Sequence, residues 1–87
     1  MAYAIRWDAN ARETLRKLER VDAQRIIKKV DEARLNPHHF LEPLTELQGY
    51  RLRAGDYRVI IDIDDKQQLL QVRLVGHRKN VYKEMNR

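Results

Sequence analysis

Eighty-seven residues allow one small domain, and at 43% hydrophobic and 36% charged, with three glycines and two prolines, the chain is too apolar and too varied for disorder. It has no cysteine, which excludes disulfides, thiolate metal sites and a cysteine nucleophile, and no apolar run long enough to span a membrane or serve as a secretory signal, so a cytoplasmic protein is expected. Eighteen Lys and Arg against thirteen Asp and Glu, a formal charge of +5, favour a polyanionic partner, either nucleic acid or an acidic protein segment.

Tyr3, Ile5 and Trp7 alternate with Ala4 and Arg6, the period of a strand. Asp8 stands where a helix N-cap belongs, and Ala11, Leu15 and Leu18 follow at helical spacing with Arg12, Glu13, Arg16 and Lys17 between them. Asp22 reads as a second cap, followed by an apolar stripe of Ala23, Ile26, Ile27, Val30 and Ala33. Pro37 disfavours helical geometry at Asn36 and marks the end of that helix. Two helices with so short a link should form an antiparallel hairpin.

Residues 38 to 48 show no period and contain Pro43, so they read as a loop, with His38 and His39 facing solvent and lacking a second pair at metal-ligand spacing. Strand patterns then recur. Leu52 lies between Arg51 and Arg53, and Gly55 suits a tight turn at the position that needs a positive φ. Tyr57, Val59, Ile61 and Ile63 alternate with Arg58, Ile60, Asp62 and Asp64, and after a turn Leu70, Val72 and Leu74 alternate with Gln71, Arg73 and Val75. Gly76 is read as interrupting the last strand, ahead of a short basic tail through Val81 and Tyr82 to Arg87. The expected fold is a single α+β domain over residues 1–87, in the order β-α-α-β-β-β, with an antiparallel sheet and a helical hairpin on one face.

Strand parity makes a prediction about charge. With Leu52, Val59 and Ile61 turned toward the helices, Arg51, Arg53 and Arg58 share the opposite face. Three guanidiniums there gain nothing for folding by themselves. Either Asp56, Asp62 and Asp64 neutralise them at the surface, or they form an anion site whose planar, permanently charged groups suit phosphate. His77, Arg78 and Tyr82 lie just beyond the last strand, with Lys79 and Lys83 among them. Arginines to stabilise a pentacoordinate phosphorane, an imidazole to shuttle a proton and a phenol to stack on a base or orient a hydroxyl make a phosphodiester toolkit.

The string from Gly49 to Ile60 (GYRLRAGDYRVI), followed by Val75 to Tyr82 (VGHRKNVY), resembles the RelE branch of the RelE/ParE toxin superfamily, as do the opening Met-Ala-Tyr, the two amphipathic helices and the strand order. The resemblance implies the toxin of a type II toxin–antitoxin pair, a ribosome-dependent mRNA interferase. Such an endoribonuclease cuts A-site mRNA without a metal or other cofactor, by attack of the ribose 2′-hydroxyl on the adjacent phosphate. It implies that Arg58 and Arg78 are catalytic, that Tyr82 stacks on or orients the substrate, and that Arg51 and Arg53 face the mRNA backbone, with Lys79 and Lys83 as further RNA contacts. Some relatives carry lysines where this chain has Arg51 and Arg53, one of them proposed as the general base. Arginine does not readily release a proton near neutrality, which makes His77 the first candidate for that role here.

The implied partners are a RelB-like antitoxin, expected to be an acidic amphipathic segment, together with the ribosome and its mRNA; operator DNA would be reached only through the antitoxin, and no membrane is involved. Two other functions share the fold: a ParE-like poison of DNA gyrase without nuclease activity, and an inactive module that only binds antitoxin. The resemblance assigns the His77, Arg78 and Tyr82 tail together with Arg58 to the nuclease branch.

Overall fold

The computed structural model describes residues 2–85. Its elements are β1 (Ala4–Trp7), α1 (Ala9–Lys17), α2 (Arg20–Ala33), a one-turn α3 (Pro37–Phe40), β2 (Glu42–Pro43), β3 (Tyr50–Ala54), β4 (Tyr57–Asp64), β5 (Leu69–His77) and α4 (Val81–Met85). The five strands form one sheet in the order β1-β5-β4-β3-β2. Pairing is antiparallel except at β1, which lies parallel to β5, so the sheet is mixed. No helix among the described residues is long and apolar enough to cross a membrane.

Helix α1 lies over β5 and α2 over β3, both on one face of the sheet. The main core beneath them joins Ala11, Ile26, Val30 and Ala33 to Leu52, Ala54, Val59, Ile61, Leu70, Val72 and Val75. Ile26, Val30 and Ala33 form the buried stripe of α2, but Ile27 is half-exposed beside Ile5 and Trp7, so the stripe is narrower than expected. Asp22 lies in the first turn of α2; the N-cap is Glu19, three residues earlier than predicted. There Asp22 still favours the positive helix start and lies 3.7 Å from Arg25. Asp8 is the N-cap of α1 as predicted, yet its carboxylate makes no capping bond and instead accepts from the Gln71 amide.

The segment read as a loop contains two short elements. Pro37 occupies the start of α3, where its missing N–H costs nothing, and the last turn of α2 ends before it. Glu42 and Pro43 pair with Arg51 and Tyr50 as an edge strand. His38 is not simply solvated. Its Nε2 lies 2.9 Å from Asp65, which also accepts from the Tyr3 hydroxyl at 2.7 Å, so α3, the β4–β5 turn and the start of β1 are tied together. The Tyr3 and His38 hydrogen bonds hold the Asp65 carboxyl below its ordinary value.

The β3–β4 hairpin is as predicted: a two-residue turn with Gly55 at φ 62°. Strand β5 departs from strict alternation. A register shift opposite Ile60 and Ile61 leaves Arg73 without a partner, since Ile60 pairs with Leu74 and Ile61 with Val72. One inserted residue reverses the parity of the rest of the strand. Leu74 therefore points away from the helices and Val75 returns to the main core, the reverse of the sequence expectation. Gly76 lies within the strand rather than ending it.

On the second face Leu74 and Ile60 meet Val81 of α4, flanked by Leu44, Tyr82 and Met85. Gly76 makes this docking possible, because a Cβ there would lie 3.0 Å from the Val81 Cβ. The part of the tail read at Arg87 lies outside the described residues. Gly76→Ala is expected to cost about 1–3 kcal/mol by forcing α4 outward. In a Val81→Ala background, where the opposing methyls are gone, the same change should cost less. Urea melts of the four proteins in the cycle measure that coupling, and strict additivity would mean that the contact does not constrain α4.

Candidate functional site

Arg51, Arg53 and Arg58 share the sheet face opposite the main core. Leu52 and Val59 pair with each other and point into the core, while Arg53 and Arg58 are direct cross-strand partners and Arg51 lies opposite Ile60. Like charges placed opposite each other in an antiparallel pair destabilise it, so this arrangement has a cost in folding. The carboxylate that offsets it is none of the three aspartates considered from the sequence. Asp62 pairs with Arg73 at 3.0 Å, Asp56 lies 3.8 Å from Arg78, and Asp64 accepts from the Gln67 backbone N–H.

Glu42 of edge strand β2 takes that role. One of its oxygens accepts from Arg51 Nη2 at 3.0 Å, and the other lies 3.9 Å from Arg53 Nε. The Arg51 hydrogen bond, together with the charges of Arg51, Arg53 and Arg58, holds the Glu42 carboxyl below its ordinary value. Two guanidiniums thus already converge on one oxyanion. Sequence reasoning missed Glu42 because a two-residue strand carries no periodicity; the acid directly before Pro43 was the only local signal.

Arg51 also donates from Nη1 to the Tyr82 hydroxyl at 3.2 Å, joining β3 to α4. The Tyr82 and Glu42 hydrogen bonds raise the Arg51 pKa further above its already high ordinary value. The Arg51 Nε is buried with no partner among the described residues. An unpaired buried donor is rare and costly.

Arg58 turns its Nη1 back onto the carbonyls of Gly55 and Tyr57, both at 2.9 Å, and has no carboxylate within ion-pair distance among the described residues. Arg78 reaches the same turn, its backbone N–H donating to the Asp56 carbonyl at 2.8 Å. The hairpin turn therefore gathers Arg58 and Arg78 at one end of the arginine face, with Arg51 and Tyr82 at the other. Lys79 and Lys83 are exposed on the tail.

His77 is not brought to this group. It pairs with Tyr57, whose side chain packs on the helix side, and their rings meet edge to face at 5.7 Å. Its Nδ1 accepts from the Lys79 backbone N–H at 3.2 Å. The parity reversal at Arg73 thus turns the imidazole away from the guanidiniums, and its assignment as general base is withdrawn. Among the described residues no three His, Asp or Glu side chains are placed to hold a metal ion.

Beside Arg51 and Tyr82 opens a cleft of about 350 Å³, walled by the chain from Pro43 to Leu47. The face as a whole offers guanidiniums, groups chemically suited to bind an oxyanion, a phenol hydrogen-bonded to one of them, and an adjoining recess.

The family profile described as the ParE toxin of the type II toxin–antitoxin system parDE matches residues 5–82. No curated protein shows significant sequence similarity to the chain. Solved structures are similar over most of its length. The RelBE2 toxin–antitoxin complex from Mycobacterium tuberculosis is 28% identical with a TM-score of 0.80, over 88% of this chain and 99% of that one. The isolated RelE toxin of E. coli is 28% identical with a TM-score of 0.74, over 98% and 96%. In the intact E. coli RelBE complex the values are 26% and 0.74, over 87% and 96%. With the profile spanning nearly the whole fold, including the arginine face and Tyr82, the chain belongs to the RelE/ParE superfamily of type II toxin–antitoxin toxins.

Proposed function

We propose that this toxin is a ribosome-dependent mRNA endonuclease. The observation that carries the reading is the convergence of Arg51, Arg53 and Arg58 on one sheet face, with Arg78 at the same hairpin and Tyr82 fixed to Arg51. A fold shared by many toxins does not choose an activity; two guanidiniums that meet on one carboxylate, beside a third on the same sheet face, argue for phosphate chemistry.

In the proposed reaction the ribose 2′-oxygen bonds to phosphorus and the bond to the 5′-oxygen breaks. The products are a 2′,3′-cyclic phosphate and a 5′-hydroxyl; one proton leaves the attacking hydroxyl and one is taken up by the departing oxygen. Charge accumulates on the phosphorane oxygens. Arg58, which has no carboxylate within ion-pair distance among the described residues, is assigned to them, with Arg78 beside the leaving oxygen. Arg51 and Arg53 take the backbone phosphate when it displaces Glu42. Lys79 and Lys83 add exposed positive charge along the path of the RNA.

None of the four arginines surrenders a proton near neutrality, so the toxin contributes charge and orientation. Alignment of the 2′-hydroxyl falls to the ribosome-held message, and orientation of this kind supplies on the order of 7–11 kcal/mol in well-positioned intramolecular reactions. The partner that silences the toxin is assigned as a RelB-like antitoxin, in keeping with the solved complexes of its structural neighbours. Operator DNA is reached through that antitoxin alone. A cytoplasmic site of action follows from the ribosome as target.

Purified toxin should cut message held on translating ribosomes and leave naked message largely intact. Arg58→Ala and Arg78→Ala should each lower ribosomal cleavage by roughly 10²–10³-fold, as the loss of one oxyanion donor does, while melting temperature and antitoxin binding stay near wild type. Intact message in both tubes, with gyrase-dependent DNA breaks accumulating in cells, would identify a gyrase poison instead. Intact message without such breaks would leave an inactive antitoxin-binding module.

Glu42 gives a second test. A carboxyl with a depressed pKa contributes to stability above its unfolded value, and the contribution disappears as pH falls through the lower folded value. It therefore stays ionised at neutral pH and competes with phosphate throughout the working range. Glu42→Gln should tighten binding of a short single-stranded RNA by roughly two- to fivefold at low salt, the scale of one exposed ion pair, and the gain should shrink as salt rises. Fluorescence anisotropy with labelled RNA measures it, and unchanged affinity would show that Glu42 does not occupy the phosphate position.

A further inference from the structure

The outer side of α2 carries charge that neither the core nor the arginine face accounts for. Ile26, Val30 and Ala33 bury one stripe of the helix, which leaves Arg25, Lys28 and Lys29 exposed together at helical spacing. With Val21, Gln24 and Glu32 they line a recess of about 370 Å³. Fold stability does not explain them. Lys28 and Lys29 have no ion-pair partner among the described residues, and Arg25 has only Asp22 at 3.7 Å, a partly exposed pair of little worth. Arg25 also joins this strip to the hairpin. Its Nη1 lies 2.7 Å from the point that a Cβ on Gly55 would occupy, so its guanidinium rests against the β3–β4 turn. Arg58 donates to the carbonyl of that same Gly55 at 2.9 Å, and the Arg78 backbone N–H donates to that of Asp56 at 2.8 Å. Arginines from α2, β4 and the segment after β5 therefore meet at one turn.

Resting on the nuclease reading above, we infer that single-stranded RNA leaves the arginine face over this hairpin turn and continues along α2, where Arg25, Lys28 and Lys29 hold phosphates 3′ of the cut. The polarity follows from the proposed reaction. Arg78 stands beside the leaving 5′-oxygen, which belongs to the nucleotide on the 3′ side of the broken bond. The strand that passes the hairpin is therefore the 3′ strand. Helical rise sets Lys28 and Lys29 about 4.5–6 Å beyond Arg25, so successive cations can meet successive phosphates of an extended strand. Arg25 is steered by its contact with the turn, while the lysines act as flexible point charges. Glu32, a turn further on, reverses the sign of the charge and ends the strip. Contacts of this kind read no base: they add affinity and fix the direction in which the strand runs.

The test compares the full-length wild type with a triple variant, Arg25→Gln, Lys28→Gln and Lys29→Gln. Glutamine keeps the helix propensity and all three side chains are exposed, so the melting temperature should change little. In the first arm, labelled single-stranded RNAs of about four and about ten nucleotides are titrated by fluorescence anisotropy. The variant should bind the longer RNA roughly tenfold more weakly at low salt, with a smaller deficit on the shorter one. Its slope of log affinity against log salt should be shallower by about two. In the second arm, ribosomes carry messages whose 3′ end lies from just past the cut to about ten nucleotides beyond it, and cleavage rates are compared. The variant's deficit should grow severalfold with the 3′ extension. Equal RNA affinity and salt slope overturn the inference, as does a cleavage deficit that is absent or independent of 3′ length; a wild type that still cuts leaves the nuclease reading standing. Unchanged RNA binding with weakened antitoxin binding assigns the strip to the acidic partner and overturns the inference as well. A length-dependent loss of RNA affinity without ribosomal cleavage by wild type keeps the RNA path and overturns the nuclease reading; no such loss and no cleavage overturn both.

Discussion

The constraint on which the rest of the molecule depends is the parity reversal in β5. A strand that alternated strictly would send Val72 and Leu74 to the same face and separate Leu74 from Ile60. The extra residue at Arg73 breaks that pattern and turns Leu74 outward to join Ile60. The pair forms the platform on which Val81 settles, and Gly76 removes the side chain that would block it. Tyr82, one residue on, is thereby brought within hydrogen-bond reach of Arg51. Without the bulge Leu74 would leave the platform under Val81, and the seat of the tail would be smaller.

The same reversal explains which parts of the site were legible in the sequence. Arg51, Arg53 and Arg58 lie upstream of the irregularity, where alternation from Leu52 and Val59 gives their face correctly. His77, expected just beyond the last strand, lies within β5 downstream of the irregularity, on the helix side. A bulge carries little local signature here, because Arg73 resembles any other exposed strand residue. Edge strand β2 and helix α3 escaped detection for a different reason: two and four residues are too few to display a period. Fold class and element order rest on long amphipathic patterns, which survive such irregularities, and the motifs around the hairpin pointed to the superfamily. The parallel seating of β1 against β5 is a long-range pairing that no local pattern encodes.

The two faces of the sheet divide the work of the chain. The helix side carries the larger core, in which Ile26, Val30, Val59, Ile61, Leu70 and Val72 are fully buried. The second face carries a core of only Ile60, Leu74 and Val81, and beside it the charged groups. Global stability therefore resides on one side and the adjustable elements on the other. Stability differs locally within a domain, and regions with few buried apolar contacts open most readily. Helix α4, five residues long and held by one small cluster, is such a region, and it carries Tyr82.

Electrostatics on the second face obeys the same logic. Placing Arg53 directly opposite Arg58, with Arg51 two residues away, works against folding, and Glu42 relieves only part of that repulsion because it reaches two of the three guanidiniums. Complete neutralisation would need a second carboxylate at Arg58, and the surrounding sequence supplies carboxylates elsewhere: Asp62 serves Arg73, and Asp56 serves Arg78. The remaining imbalance is a local excess of positive charge, which in the proposed reaction a dianionic phosphorane would relieve more fully than a singly charged phosphodiester. Because guanidinium charge persists over the whole physiological range, this preference for the more highly charged species does not depend on titrating any group of the toxin. For the proposed cleavage, a face destabilised when empty is the electrostatic arrangement that catalysis by charge stabilisation requires.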